Sequence, residues 1–490
     1  MTHTSLNRRA LLTAAGLALP TLAFAQAAAP TPAPAPTTSP SQAGPFSFKG
    51  WQGREAEAER GFFEVPEDRR LPNSRKIRLS YVRFASTAAK PGPPIVYLAG
   101  GPGGTATRAA GGPRFPIFMA LREVADVIAF DQRGTGLSNA IPERAWTRPA
   151  PVFTEVGLTG HFRDEFQRAW IDWTRAGVAM TGYNTEQNAD DIDDLRRHLG
   201  AEKVDLWGIS YGTHLALSML KRHGDRVGRV ALASLEGQDQ TVKRPAAIDA
   251  LLRQVDGLLA ADPVARAAVP DLPALMRRVH ARLEAQPAVT KVTFKGAPGE
   301  IRMGGFGVQM LAGGLIANPN TLSMLPGLYL GLDAGRTDML APFLGDVADL
   351  LSIGGMPEAT DLASGISPGR LALVRREAKT AVLGAALNFP MPQLLGAVPG
   401  ADLGEGFRAP LRINHPALLV AGTLDGRTPM GEQDEVAAQF QRKSRVIVEN
   451  AGHNVFEAHP DVQGLLVRFF RGEAVADTRL ALPPPKFKVA

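Results

Sequence analysis

Short, unbroken apolar runs alternate along much of the chain with stretches whose apolar positions recur every three to four residues. The runs fall at 95–98, 127–130, 204–207, 230–235, 417–421 and 446–448. Unbroken runs are what strands covered on both faces require, so the pattern predicts a mostly parallel, doubly wound α/β sheet with helices on both faces. Two earlier runs, at 61–65 and 76–84, flank the turn-rich stretch 66–74 and predict antiparallel strands. The helix ahead of the 204–207 run is well marked. Thr185 is its expected N-cap, Asp190, Asp191, Asp193 and Asp194 come early, and Arg196 and Arg197 come late, each charge favouring its end of the dipole.

Between residues 235 and 417 the strand rhythm stops and helical patterns take over, at 246–259, 273–283 and 322–332. We read 240–405 as a helical cap inserted into a core made of 46–239 and 406–490, because an insertion at a strand's C-terminal end must lie over the active face. A separate helical domain with no role over the site is the alternative. The first 25 residues carry no acid, place Arg8 and Arg9 before an apolar run, and end in Ala23-Phe24-Ala25. That is the pattern of an export signal. Residues 5–12 further resemble a twin-arginine signal, an ordinary secretory signal with paired arginines being the other reading. Either one sends the protein to the periplasm or the medium. Residues 26–45, rich in Ala, Pro, Thr and Ser, read as an extended linker. No later stretch is long and apolar enough for a transmembrane segment, which needs about 18 apolar residues.

Composition narrows the chemistry. The 490 residues are 44% hydrophobic and 21% charged, which is ordinary for a globular protein. The formal charge is +6, yet Lys and Arg are interleaved with Asp and Glu, so no nucleic-acid patch is expected. There is no cysteine, which excludes a disulfide, a thiolate nucleophile and a cysteine metal site. No cofactor or metal is expected. The glycine run 100–104 lacks the Gly-Lys-Ser/Thr that a phosphate-binding loop requires.

Gly208-Ile209-Ser210-Tyr211-Gly212 lies between a strand-like run and the helical pattern 213–223. A serine on such a turn is lifted clear of the sheet, its flanking glycines removing Cβ atoms that would collide. Gly365-Ile366-Ser367-Pro368-Gly369 matches the same pentapeptide, but no strand-like run precedes it and Pro368 has no N–H to offer an oxyanion; Ser367 reads as a loop serine. Ser210 needs a base and an orienting acid from loops after later strands. Among nine histidines, His161, His198, His214, His223 and His280 fall in or beside helical patterns and read as surface or packing residues, and His415 precedes its strand. His453 follows a strand in a glycine turn and is the expected base, with His459 the runner-up. Asp425, just past the strand 417–421, is the expected acid; Glu236, at an earlier strand end, competes with it. Thr428 and Pro429 should cap and start the following helix. Gly101 and Tyr211 are placed to donate N–H groups to an oxyanion, Pro102 having none. Asp131 and Arg133, in 131–138, read as braces of a neighbouring turn.

Taken together, 100–104, 131–138, 208–212, 425–429 and Gly452-His453 resemble the proline iminopeptidase and tripeptidyl aminopeptidase family of α/β-hydrolase serine peptidases, from residue 60 to 470. Residues 322–344 also resemble that family's cap. The resemblance implies an α/β-hydrolase fold and removal of one residue or a short peptide from a free N-terminus, with acidic groups near the cap holding the substrate ammonium. Glu236 is the acid expected there for substrate binding. The chain departs from the secreted members in lacking their cysteines. A carboxylesterase or lactone hydrolase of the same fold is the alternative, so the partner is a peptide or small ester.

Overall fold

The computed structural model describes residues 43–145, 152–294, 297–344 and 352–489. The expected export signal and residues 26–42 of the expected linker lie outside the described residues. The strands are β1 (Gly44–Lys49), β2 (Glu55–Pro66), β3 (Lys76–Phe84), β4 (Ile95–Leu98), β5 (Val127–Asp131), β6 (Arg144–Ala145), β7 (Val204–Ile209), β8 (Val227–Ala233), β9 (Ala288–Phe294), β10 (Ala297–Met303), β11 (Ser352–Ile353), β12 (Ala417–Gly422), β13 (Lys443–Glu449) and β14 (Thr478–Ala481).

Ten of them form one sheet in the order β1-β2-β3-β5-β4-β7-β8-β12-β13-β14. β1, β2, β3 and β5 pair antiparallel. From β5 onward every neighbour is parallel. The alternation of side chains along each parallel strand divides the core into two layers. Ile95, Tyr97, Trp207, Ile209, Leu418 and Val420 pack on one face, against the helices Phe115–Leu121 and Pro460–Arg471. Val96, Leu98, Val204, Leu206, Ala417 and Leu419 pack on the other, against Thr185–His198 and Tyr211–His223. With both faces covered, β4, β5, β7 and β12 are buried throughout, and the sequence shows them as unbroken apolar runs.

Edges and caps differ from the sequence reading. β1 begins at Gly44, inside the stretch read as linker, and its Pro45 is tolerated because an edge strand needs no ladder bond on its outer side. The helix expected to be capped by Thr185 is capped by Asn184, whose side chain accepts the Gln187 N–H at 2.9 Å, while Thr185 is buried as the first helical residue. The region between β8 and β12 is helical, but it also holds the β9–β10 hairpin. Its helices Pro245–Ala260, Leu272–Ala285, Gly305–Leu315 and Leu325–Asp333 share an apolar core of their own. A segment the sequence reading left out joins them: the helix Glu155–Arg175 buries Phe166 and Trp173 against Met356 and Leu362. β6 pairs with β11, and Phe153 N–H donates to Arg302 O, tying the two stretches together.

Asp205 sits inside β7, buried, with the Arg229 backbone N–H donating to its Oδ1 at 2.6 Å. Gly228 leaves room for it, since a Cβ there would lie 2.3 Å from that oxygen. Burial pushes the Asp205 carboxyl up to about 7, against the pull of the Arg229 N–H and charge. The folded state therefore holds this proton more tightly than the unfolded chain, so stability is greatest below the unfolded pKa and falls as pH rises through about 7. Between about pH 5 and pH 8 the wild type should lose about 2 to 3 kcal/mol relative to an Asp205→Asn variant, read from urea midpoints. A gap that does not change with pH would contradict it.

Candidate active site

β7 carries the chain, buried at every position, into a turn at Ser210 with φ 57° and ψ −128°. A non-glycine residue held there costs of order 1–3 kcal/mol, so the surroundings must enforce it. Three contacts do so. Ser210 N–H donates to Ala233 O at 3.1 Å, and Ser210 O accepts both the N–H and the hydroxyl of Thr213 at 2.7 Å. The glycines on either side are required by space: a Cβ on Gly208 would lie 2.8 Å from Gly212 O, and one on Gly212 would lie 2.1 Å from Leu98 O. Tyr211 opens the next helix, so its N–H is among those a helix leaves without an internal partner. The loop after β4 meets the same point, for a Cβ on Gly100 would fall 2.9 Å from Ser210 Cβ and 3.5 Å from its Oγ. Gly101 follows at φ 127° in the tight turn, where a side chain would strike the Gly103 and Gly104 nitrogens.

Asp425 and His453 come together at the same edge of the sheet. Gly422, ending β12, passes so close to the chain after β13 that a Cβ would lie 2.5 Å from Ala451 O. Asp425 is 1% exposed, and His453 Nδ1 lies 3.0 Å from both of its carboxylate oxygens. A carboxylate only accepts, so Nδ1 carries the hydrogen and Nε2 is left as the acceptor. The Arg427 and Thr428 N–H groups donate to Oδ1 at 2.8 and 2.9 Å, and the Thr428 hydroxyl to Oδ2 at 2.7 Å. Burial pushes the Asp425 pKa up, but the His453 charge and hydrogen bond with the Thr428 donors outweigh it, and the group stays below the usual carboxylate range. Thr428 therefore serves Asp425 and does not cap the helix; that helix is Met430–Ala437, with Pro429 at its N-cap. His453 is held in turn by Ser234, whose hydroxyl donates to His453 O at 2.9 Å next to the Ala233 carbonyl that anchors Ser210.

The other candidates have separate employment. Glu236 does not meet His453: its carboxylate pairs with Lys243 Nζ at 2.6 Å, both groups largely buried, so its charge is already balanced. His459 caps the helix Pro460–Arg471, accepting the Asp461 N–H. Ser367 caps the helix Pro368–Ala378, and its hydroxyl donates to Asp239 at 2.5 Å. Asp131 accepts the Thr107 and Leu137 N–H groups, and Arg133 forks onto Asp191 with two bonds of 2.7 Å, both bracing loops at this edge.

Two residues of the inserted region escaped the sequence reading. The helix Met356–Ser364 lies directly over the loop after β4, where a Cβ on Gly103 would lie 2.7 Å from Pro357. It carries Glu358 and Asp361 one turn apart. Glu358 accepts the Gly355 N–H at 2.8 Å. Asp361 is half-buried, and burial, with the charge of Glu236 added, pushes its carboxyl well above the usual range. Nothing in the helical pattern of 356–364 sets these two acids apart, because the neighbours they meet depend on how this segment packs on the rest of the chain.

Among the described residues no helix is long and apolar enough to cross a membrane, and no group of three or more His, Asp or Glu side chains could hold a metal ion. Residues 93–304 match the α/β hydrolase fold family and residues 404–478 match the TAP-like protein family. The chain is 26% identical over 192 residues to the tripeptidyl aminopeptidase of Streptomyces lividans, covering 36% of this chain and 35% of that one. It is 28% identical over 218 residues to the serine protease Hip1 of Mycobacterium tuberculosis, covering 40% and 38%. The match thus spans little more than a third of the length of either relative. An epoxide hydrolase from an endophytic Streptomyces aligns over 86% of this chain and 99% of its own, at 18% identity and a TM-score of 0.39. The parallel sheet with its serine turn after β7, and the matches over 93–304 and 404–478, give this chain the α/β-hydrolase fold with a TAP-like C-terminal part.

Proposed function

We propose that this chain is an exported serine hydrolase of the aminopeptidase type, cleaving residues or short peptides from free N-termini. The observation that carries the reading is the Asp425–His453 pair, fixed at the same sheet edge as a serine held at positive φ. In this reading Ser210 attacks the scissile carbonyl while His453 Nε2 takes its proton, and Asp425 keeps the imidazole in the tautomer that makes this possible. The N–H groups of Gly101 and Tyr211 hold the oxyanion. His453 returns the proton to the leaving amine, and water then releases the acyl-enzyme by the reverse sequence.

Recognition of the substrate ammonium falls to Glu236 and Asp361 together. Glu236 alone is balanced by Lys243, whereas burial and the charge of Glu236 push the Asp361 carboxyl well above the usual carboxylate range. A cation arriving beside it favours the ionised form, so binding and deprotonation reinforce one another. The names of the relatives, a tripeptidyl aminopeptidase and a serine protease, support the peptidase reading as a class.

Ser210→Ala should remain folded and lose turnover, and Asp425→Asn should lower kcat by about 10⁴ through the wrong imidazole tautomer. Full activity in either folded variant would refute the triad. Rates on aminoacyl-arylamides, their N-blocked forms and short arylesters separate the peptidase from an esterase. Asp361→Asn should raise KM for free-amine substrates by about tenfold, the loss of one charge-assisted hydrogen bond, and leave arylester hydrolysis unchanged.

A further inference from the structure

His214 lies in the second turn from Ser210 and is fully buried, its ring 5.6 Å from that of Tyr211 and 5.5 Å from that of Phe407. Both ring nitrogens are engaged. Nδ1 is 3.0 Å from Gly237 O, and Nε2 is 3.1 Å from Ser364 Oγ. A carbonyl can only accept, so Nδ1 carries the hydrogen. Burial holds the imidazole below the usual histidine range and hence neutral, which leaves Nε2 as an acceptor for the Ser364 hydroxyl. The Ser364 hydroxyl also lies 3.0 Å from Thr360 O, the carbonyl one turn back on its own helix, so its one hydrogen is shared between that carbonyl and Nε2, while Thr185 Oγ1 lies 3.4 Å from Ser364 Oγ and 3.3 Å from the Tyr211 hydroxyl. Tyr211, Thr185, Ser364, His214 and Gly237 thus form one buried line of polar groups.

What the line joins gives it meaning. Tyr211 follows the reactive serine, Gly237 follows Glu236, and Ser364 stands three residues beyond Asp361 on the same helix. One imidazole therefore spans the serine turn, the loop bearing Glu236 and the inserted helix bearing Asp361. We propose that His214 is a positioning residue that sets the separation of Glu236 and Asp361, and through it the preference for a substrate carrying a free amine. This rests on the ammonium-binding reading given above. Two acids from different segments grip one small cation only if their spacing is fixed to within about 0.5 Å, and apolar packing alone does not fix polar groups so closely.

Ser364→Ala cuts the line at its middle with the smallest change of volume. His214→Phe keeps the ring packing and removes both bonds. Each folded variant should raise KM for a free-amine aminoacyl-arylamide by about tenfold, with kcat on that substrate and kcat/KM on a short arylester within about twofold of wild type. Ser364→Thr, which keeps the hydroxyl, should restore KM. Parallel loss on amide and ester would overturn the proposal by showing that the line merely supports the scaffold, and an unchanged KM in both variants would overturn it as well. The wild type is measured first on free and N-blocked substrates. Indifference to blocking would defeat the ammonium reading itself, and this inference with it; preference for the free amine, followed by unaltered variants, would defeat only the role given to His214.

Discussion

The site depends on a backbone that cannot relax. Ser210 is held at a positive φ because the chain on either side of it is tightly packed: Gly212 lies against Leu98 O of the strand next door, and Gly208 lies against Gly212 O across the turn. Neither place admits a methyl group. The strain is sustained by the buried sheet, since β7 and β4 pair in register up to Leu98 and Gly208 and leave no slack for the turn to open. The same pairing brings Gly100 against the serine, so Ser210 and the loop expected to face its oxyanion are fixed by one packing event.

Asp425 organises the opposite side. Its two oxygens gather two backbone N–H groups, one hydroxyl and one imidazole, all within 3.0 Å. So many donors make a fully buried carboxylate tolerable, and they leave the imidazole only one orientation. Ser234 and Ala233 then connect the halves, one bonding the His453 carbonyl and the other the Ser210 N–H. The end of β8 is thus the physical link between residues that are more than 240 positions apart in sequence.

Much of the sheet was legible because burial on both faces forces an apolar run, and a run is visible without knowing its neighbours. The edge strands were not. β1 has alternate positions exposed, and β14 pairs along one side with only half-buried side chains, so neither produces a distinctive pattern. Ser210 could be picked out, and Ser367 set aside, because a strand precedes only one of them. Asn184 in place of Thr185 at a helix cap was a one-residue ambiguity between two competent cap formers. His214 read as a packing residue because it sits in a helical pattern, and nothing in its sequence neighbours reveals a partner 150 residues away on Ser364. Asp361 was hidden for the same reason. Where function lies between the core and an insertion, the sequence supplies both surfaces but not their contact.

The helical region between β8 and β12 also touches the loop that carries His453. Ala317 O accepts the His453 N–H at 2.8 Å and the Asn318 side chain accepts the Asn454 N–H at 3.0 Å, while Gly426 and Gly452 are packed so closely on 316–319 that neither could carry a side chain. The short stretch after the helix Gly305–Leu315 is in effect a wall of the imidazole's socket. Grafting a different lid onto this core to change its selectivity would therefore disturb the His453 imidazole as well, unless those four residues travelled with the scaffold and not with the lid.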